Sequence, residues 1–292
     1  MFDTDKNCQG LGNKLAAMKN IFTKKLPHVM LLMAILFSAN AASAETFISN
    51  KATLDYEIKG NGDPVFIMHG GLASREDLRL LINHLAKSHK IIALDSREHG
   101  RSSNSPLQIS YELMASDVYN LAQHLGIQSA TLIGQSDGGS TALTAAFHYP
   151  SFVKRLVLLG TSYNHSVQSK ATKEYFQTVK WPANLDMNTF PGMFLDDYFL
   201  GGRSMTDYQA WFDELAYMWT TSPNFSIEQL AQLKMPVQII SGDRKEVPLY
   251  HTTALYEALP NAQLFVVPNA SHFLHTEKPD LLHAAISSFL EH

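Results

Sequence analysis

The amino-acid sequence predicts an α/β fold in which helices flank a mostly parallel sheet. Two observations predict it. Short, continuously apolar segments alternate along the chain with longer segments of helical periodicity. The apolar segments are rich in Val, Ile and Leu, as expected of parallel strands that are buried on both faces. A chain of 292 residues is also long enough to bury one sizeable core.

The strands and helices are predicted in chain order from these patterns. Alternation over residues 46–59 predicts two antiparallel strands at an edge of the sheet. Continuous apolar runs predict buried strands at 65–68, 91–94, 130–133, 156–159, 237–240 and 264–267. Helical spacing of apolar residues predicts helices over 75–88, 111–125, 140–148, 252–259 and 279–290.

Residues 161–234 interrupt this alternation, because they contain no apolar run typical of a buried strand. All three tryptophans lie in this segment, among many other aromatic residues. We predict a helical insertion between two parts of an α/β core, 45–160 and 235–292. Its aromatic side chains fill a small core of their own, line an apolar pocket as a lid over the sheet, or do both.

The first 44 residues are predicted to be a signal peptide with an extended leader. Lys24 and Lys25 precede the apolar segment 29–37, and Ala42-Ser43-Ala44 is typical of a cleavage site. The apolar segment is shorter than the ~20 residues of a membrane span. We expect translation to begin at Met18 and the mature chain to be periplasmic or secreted, with no stable membrane insertion. An uncleaved anchor is the alternative.

Cleavage would change the chemistry available to the chain. Cys8, its single cysteine, would be lost, which excludes disulfides, thiol catalysis and thiolate metal sites. Of the 23 basic and 27 acidic residues, five lysines and two aspartates would also go, leaving 18 against 25 and a net charge of −7. A chain with this negative net charge would repel the phosphates of nucleic acid. We therefore expect a small-molecule substrate and no nucleic-acid partner.

A Gly-x-Ser-x-Gly segment, Gly134-Gln135-Ser136-Asp137-Gly138, lies between the predicted strand at 130–133 and the helix that follows it. A sharp strand-to-helix turn of this kind strains the backbone of its central residue, and the neighbouring glycines leave room for the turn. The serine hydroxyl then projects above the edge of the sheet. Ser136 is therefore a candidate covalent nucleophile.

A serine hydroxyl needs a base within hydrogen-bonding reach. His272 follows the last predicted strand on a loop at its carboxyl end, where sites form in open parallel sheets. His275 is expected in the following turn or helix. His251, at the start of a helix, is expected to be a surface or capping residue. The position of His272 therefore makes it the candidate base.

An acyl-transfer intermediate also needs two N–H groups directed at its oxyanion. One is expected from Asp137, the residue after the candidate nucleophile, at the start of a helix. The other is expected from Gly71, in the loop His69-Gly70-Gly71-Leu72 that follows a predicted strand. Glycine at this position allows the backbone to approach a substrate closely. Gly71 and Asp137 are therefore the candidate oxyanion hole.

Together, four segments resemble the α/β-hydrolase superfamily, and the resemblance covers about residues 50–290. The segments are His69-Gly70-Gly71, Asp95-Ser96-Arg97-Glu98-His99-Gly100-Arg101-Ser102, Gly134-Gln135-Ser136-Asp137-Gly138 and Ser271-His272. They look most like lid-bearing esterase and lactonase-like members, such as enol-lactone hydrolases and valacyclovir-hydrolase-like enzymes. The resemblance implies that Ser136 is the nucleophile, that His272 is the base, that the insertion is a lid after the sixth strand, and that no cofactor or metal is required.

Two positions depart from the family pattern. Glu98 stands where the family usually has glycine, and we expect this change to be tolerated on the surface. Lys245 stands where the family has the aspartate that orients the histidine, and a lysine cannot accept the imidazole proton. Asp243 is the preferred substitute because it lies nearest the strand end, and Glu246 is the alternative acid. A simple turn-capping role for Asp243 also stays open.

These observations predict an exported serine hydrolase that cleaves an ester or lactone of a small, partly apolar substrate through an acyl-enzyme. Ser136 argues against the dehalogenases and epoxide hydrolases of this fold, which use an aspartate. A serine aminopeptidase, a carbon–carbon bond hydrolase and a cofactor-free haloperoxidase stay open. So does a non-catalytic binding protein with an incomplete triad, for which Lys245 is the argument.

Overall fold

A computed structural model of the protein describes residues 43–181, 192–244 and 247–291. Its eight strands form one sheet. They are β1 (Ser43–Ser49), β2 (Ala52–Lys59), β3 (Pro64–Met68), β4 (Lys90–Leu94), β5 (Ala130–Gln135), β6 (Val153–Leu159), β7 (Val237–Gly242) and β8 (Ala262–Val267).

The strands are arranged in the order β1-β2-β4-β3-β5-β6-β7-β8. The first two are antiparallel to each other, and β2 is antiparallel to β4. From β4 to β8 every neighbouring pair is parallel. The predicted fold class is therefore confirmed. Because the parallel strands run in one direction, their carboxyl ends share one edge, where ligands bind in open α/β sheets.

Helices follow most of the strands. They are α1 (Arg79–Leu85, preceded by the 3₁₀ turn Arg75–Leu78), α2 (Tyr111–His124), α3 (Asp137–His148), α4 (Lys170–Thr178), α5 (Leu195–Phe199), α6 (Met205–Thr221), α7 (Ile227–Leu230), α8 (Leu249–Ala258), α9 (Leu274–Glu277) and α10 (Pro279–Glu291). Local sequence sets several of their starts. For example, the Ser110 side chain accepts a hydrogen bond from the Leu113 N–H and caps α2.

Two apolar cores lie on opposite faces of the sheet. Successive residues of β3 show why its sequence is apolar throughout. Val65 and Ile67 pack into the core that includes α1 and α10. Phe66 and Met68 pack into the other core, which includes α2 and α3. Side chains of a strand alternate between faces, so a strand covered on both faces needs an apolar residue at every position.

The chain between β6 and β7 forms the helices α4 to α7 and short 3₁₀ turns in its described part. There a third cluster of buried residues has formed, with Tyr208, Trp211 and Phe212 at its centre. It also includes Leu72 and Met114, which lie outside the insertion. The aromatic residues of this segment therefore pack into a core that they share with residues of the α/β part of the chain. The bounds 161–234 and the role of a lid stay predictions.

The predicted signal peptide lies almost wholly outside the described residues. Only Ser43 and Ala44 are described, and they begin β1, where they pair with Ile58 and Glu57 of β2. Among the helices of the described residues, none is long and apolar enough to cross a membrane.

The expectation that Glu98 lies on the surface is wrong. Its side chain is only 4% exposed, and its backbone has a φ of 64°, the left-handed region that glycine adopts most readily. The turn after β4 is covered by the insertion, because Arg203 donates hydrogen bonds to the backbone oxygens of Gly100 and Ser102. This cover buries the glutamate that takes the place of the family's glycine.

Candidate active site

Ser136 occupies the turn between β5 and α3. Its φ of 52° and ψ of −114° are strained for a residue with a side chain. The flanking glycines are needed because the backbones are close. A Cβ atom on Gly134 would lie 2.1 Å from the Gly138 oxygen, and one on Gly138 would lie 2.2 Å from the Met68 oxygen. The sequence pattern thus predicted this turn and its strain correctly.

A cavity of about 390 Å³ opens above Ser136 at the carboxyl edge of the sheet. Besides the Ser136 turn after β5, residues after four other strands line it: Gly71 and Asp77 after β3, Gly160 and Ser162 after β6, Val247 after β7, and His272 and Phe273 after β8. The insertion adds a mostly apolar wall, which includes Phe176, Met193, Phe194 and Trp219. The structure therefore brings Ser136, Gly71, Asp137 and His272 to one cavity.

The two candidate oxyanion donors are both backbone N–H groups with no acceptor among the described residues. Asp137 is the first residue of α3, so its N–H points out of the helix end. Gly71 lies against it, because a Cβ atom on Gly71 would be 2.4 Å from the Asp137 Oδ2. Two such N–H groups beside a serine are the arrangement that stabilises an oxyanion.

His272 packs against the backbone of the loop that follows β6. A Cβ atom on Gly160 would lie 3.0 Å from its Nδ1. The pKa of His272 is lowered to about 4, chiefly by burial and also by the charge of His275, while the charge of Asp77 opposes both. The ring is therefore neutral at pH 7 and can accept a proton. No hydrogen bond joins it to Ser136 in the described structure, and such bonds often tighten only around a bound substrate.

The candidate acids Asp243 and Glu246, unlike the other candidate residues, are not found in contact with the site among the described residues. Asp243 follows β7, where its N–H donates to the Val267 oxygen and its carboxylate lies 3.2 Å from the Arg244 Nε. It makes no hydrogen bond with His272. A second, small cavity separates this loop from the imidazole, lined in part by Gly242, Arg244 and Val247. Glu246 and Lys245 lie outside the described residues. The acid stays a prediction.

Sequence reasoning missed Asp77, which is among the residues that line the cavity. Its Oδ2 lies 2.9 Å from Nε2 of His275, which is buried on α9. Both groups act on His272 through their charges. The sequence offered only one indication that Asp77 lies near the site, which is its position six residues after Gly71.

His251 is also placed differently from the expectation. Its side chain is buried, and its Nε2 accepts a hydrogen bond of 3.2 Å from the Tyr163 N–H. Its ring stacks on that of Tyr163, with centroids 4.1 Å apart. Burial lowers the pKa of His251 to about 4, so the ring is neutral and serves as an acceptor. The expectation of a surface or capping residue is wrong, because this histidine supports the loop after β6.

The ionisable groups around the cavity are of limited kinds. Among the described lining residues there are carboxyl, phenol and imidazole groups but no lysine or arginine. In the described part of the chain, no group of three or more His, Cys, Asp or Glu side chains is placed to hold a metal ion. The cavity therefore offers an anionic substrate no fixed positive side chain within the described residues.

The order of the sheet and the position of Ser136 on its strand-to-helix turn define an α/β domain of the hydrolase type. The family model described as alpha/beta hydrolase fold matches residues 63–279. The chain therefore belongs to the α/β-hydrolase fold family, and the resemblance predicted from the sequence is confirmed.

Individual relatives agree with this assignment. A putative esterase/lipase of Haemophilus influenzae is 24% identical over 283 residues, which cover 90% of this chain and 97% of that protein. The structure of a meta-cleavage product hydrolase from Pseudomonas fluorescens IP01 is similar, with a TM-score of 0.72 and 22% identity over 85% of this chain and 97% of that one.

An enol-lactonase from Burkholderia xenovorans LB400 has a similar fold, with a TM-score of 0.69 and 18% identity over 85% of this chain and all (100%) of that one. At these identities the solved structures establish the fold alone. Together with the esterase and hydrolase relatives, the family match supports a hydrolase of this fold.

Proposed function

We propose that this protein is an exported serine hydrolase that cleaves a carboxylic ester or lactone through an acyl-enzyme. One observation supports it above the others. The strained Ser136 lies at the base of a mostly apolar cavity that it shares with a neutral imidazole and two backbone N–H groups. A serine placed in this way needs only a base and an oxyanion hole to attack a carbonyl carbon.

In the proposed reaction the Ser136 hydroxyl forms a bond to the carbonyl carbon while His272 takes its proton. The N–H groups of Gly71 and Asp137 stabilise the oxyanion. His272 then gives the proton to the leaving oxygen as the ester bond breaks. Water attacks the acyl-enzyme with help from the same imidazole, releasing the acid and restoring the serine. We propose Asp243 as the acid that stabilises the charged imidazole, with Glu246 as the alternative.

The lining of the cavity favours an uncharged substrate with an apolar portion. Phe176, Phe194 and Trp219 of the insertion contribute to the apolar wall, and no lysine or arginine is among the described lining residues. A neutral ester or lactone suits this better than an anionic substrate. The esterase/lipase and enol-lactonase named among the similar proteins agree with such a substrate. Periplasmic or secreted localisation is part of the proposal and rests on the signal-peptide pattern alone.

A fluorophosphonate probe tests the proposal directly, because it reacts with activated serine hydroxyls. The purified wild type is expected to label and to hydrolyse p-nitrophenyl acetate, and Ser136→Ala should lose both activities. Ser162→Ala is the matched control, since Ser162 also lines the cavity but lies outside the strained turn. It is expected to label like the wild type. A well-folded wild type that never labels would instead favour the non-catalytic binding protein.

A further inference from the structure

The side chain of Asp137 has no part in the reaction proposed above, which uses only its backbone N–H. Yet this carboxylate is only 6% exposed, and one buried and one partly buried donor hold it. The Tyr111 hydroxyl donates to Oδ1 and the Trp219 indole N–H donates to Oδ2, each at 2.7 Å. Burying a carboxylate costs folding free energy unless the carboxylate is hydrogen-bonded or paired. The strand-to-helix turn does not require this side chain, so its burial points to another role.

The two donors come from different parts of the molecule. Tyr111 begins α2 of the core, whereas Trp219 lies near the end of α6 in the insertion. Asp137 therefore joins the insertion to the turn that carries Ser136. A hydrogen bond from a neutral donor to a charged acceptor is stronger than one between neutral groups, so the indole orientation is well fixed.

Trp219 lies directly against the candidate oxyanion loop. A Cβ atom on Gly71 would be 2.7 Å from its Cζ2, so the indole leaves no space for any side chain there. Its ring also contacts those of Phe176, at 5.3 Å, and Phe212, at 5.8 Å. Trp219 thus forms part of the cavity wall beside the candidate oxyanion loop.

The geometry of ester cleavage indicates which part of a substrate meets this wall. The carbonyl oxygen must face the Gly71 and Asp137 N–H groups, and the leaving oxygen must face His272, which protonates it. The acyl chain takes the remaining direction, away from His272. The aromatic ring beside His272 is that of Phe273, with centroids 5.8 Å apart, whereas Trp219 contacts the oxyanion loop.

We propose that Asp137 is a positioning residue that fixes Trp219 against the oxyanion loop, and that Trp219 thereby restricts the site to short acyl groups. This inference rests on the proposed function and narrows its substrate class to esters of short-chain acids. The alcohol portion lies on the side of the cavity that holds Phe273, and that side determines the size of alcohol that the site accepts.

A series of p-nitrophenyl esters from two to twelve acyl carbons tests this, because the leaving group stays constant. The wild type is expected to show its highest kcat/KM at two to four carbons. Trp219→Ala should move the optimum to eight carbons or more and raise the ratio of eight-carbon to two-carbon rates by about tenfold or more, the usual scale for changes in pocket size. Trp219→Phe keeps a ring, shifts the optimum less, and serves if the alanine variant folds poorly.

Asp137→Ala tests the positioning role. It removes both acceptor oxygens, so the Trp219 indole N–H loses its partner, whereas an asparagine could keep that bond because the Tyr111 hydroxyl can also accept. The chain-length optimum should move in the same direction as in Trp219→Ala, by a smaller amount. Trp181→Phe is the control, because Trp181 belongs to the same insertion but is absent from the cavity lining. It should keep the wild-type profile.

Failure of this inference differs from failure of the proposed function. If the wild type labels with fluorophosphonate but Trp219→Ala and Trp219→Phe keep its chain-length profile, the inference is overturned and the serine hydrolase stands. A wild type that already prefers eight carbons or more also overturns it. A wild type that neither labels nor turns over any ester contradicts both.

Discussion

At the scale of single residues, substitutions after β7 identify the acid that supports His272. Asp243→Asn is expected to lower kcat on the order of 10⁴-fold, the typical cost of removing the acid from a serine–histidine pair. The binding of substrate should change little. Steady-state kinetics on p-nitrophenyl acetate measure both effects, with Glu246→Gln as the matched control. If Glu246→Gln removes turnover and Asp243→Asn leaves it unchanged, the role belongs to Glu246.

The pH profile adds an independent readout of the same acid. Burial lowers the pKa of His272 to about 4 when no carboxylate is bonded to it. A hydrogen-bonded carboxylate stabilises the charged imidazole and raises that pKa. The acidic limb of kcat/KM in the wild type should therefore lie above pH 4, and loss of the true acid should move it to lower pH. An acidic limb that stays in place in both variants would mean that neither residue bonds to the imidazole.

The residues that could be predicted from the sequence are those whose role follows from local geometry. Ser136 is identifiable because strain at a strand-to-helix turn needs glycines at fixed offsets. His272 is identifiable because the end of a parallel strand fixes which edge it reaches. Trp219 and Asp137 meet across 82 positions of the chain, and no local pattern relates them. Asp77 escaped prediction for the same reason.

At the scale of elements, the loop after β3 carries the clearest consequence. In Gly71→Ala the new methyl group would meet the Asp137 carboxylate and the Trp219 ring, so the loop must shift. We expect kcat to fall roughly 10²–10³-fold, the usual cost of losing one oxyanion donor, with KM little changed. Stopped-flow or steady-state assays on a short-chain ester measure this.

Gly202→Ala is the matched control for that loop. No atom of the described residues lies within 4 Å of a Cβ at Gly202, but its φ is 71°. The variant should therefore lose about 1 kcal/mol of unfolding free energy through backbone strain while keeping its kcat. A Gly71→Ala variant with normal kcat would show that the Gly71 N–H is not an oxyanion donor.

The elements themselves were largely predictable, because apolar runs and helical spacing reflect burial on one or both faces. Their surroundings were not. Glu98 and His251 were both expected at the surface, since a charged or polar residue in a turn or a first helical turn usually lies there. Both are buried because another part of the chain covers them. The insertion covers the first, and the loop after β6 packs on the second.

At the scale of the whole molecule, polar contacts join the insertion to the core at separate points. Asp137 bonds to Trp219, Ser74 bonds to Asp197, and Arg203 bonds to the turn after β4. The helix α4 has no buried residue. The cavity lies between these parts, with Phe176 on α4 and Trp219 on α6 in its wall. If the insertion opens over the active site, α4 is therefore the part that would lose the fewest buried contacts.

The buried Glu98 makes the stability of the folded molecule depend on pH. Burial and the charge of Glu214 raise its pKa from 4.5 to about 7, although Arg97, Arg203 and a hydrogen bond from the Ser105 backbone oppose the change. A carboxyl whose pKa is raised by folding is fully tolerated below its unfolded value. Its cost to stability grows as the pH rises from 4.5 to about 7, because the unfolded chain ionises in this range while the buried carboxyl stays protonated, and it is complete above the folded pKa.

Glu98→Gln removes this titration and keeps the shape of the side chain. At pH 5 the variant and wild type should have similar free energies of unfolding. At pH 8.5 the variant should be more stable by up to about 3 kcal/mol, at 1.36 kcal/mol per pKa unit. Urea denaturation at the two pH values measures the difference. The histidines with lowered pKa destabilise the fold below about pH 6.5 in both proteins, so their effect cancels; they are His99, His165, His251, His272 and His283. Equal pH dependence in both proteins would show that Glu98 does not titrate in this range, and Glu112→Gln on the exposed side of α2 controls for loss of any acidic side chain.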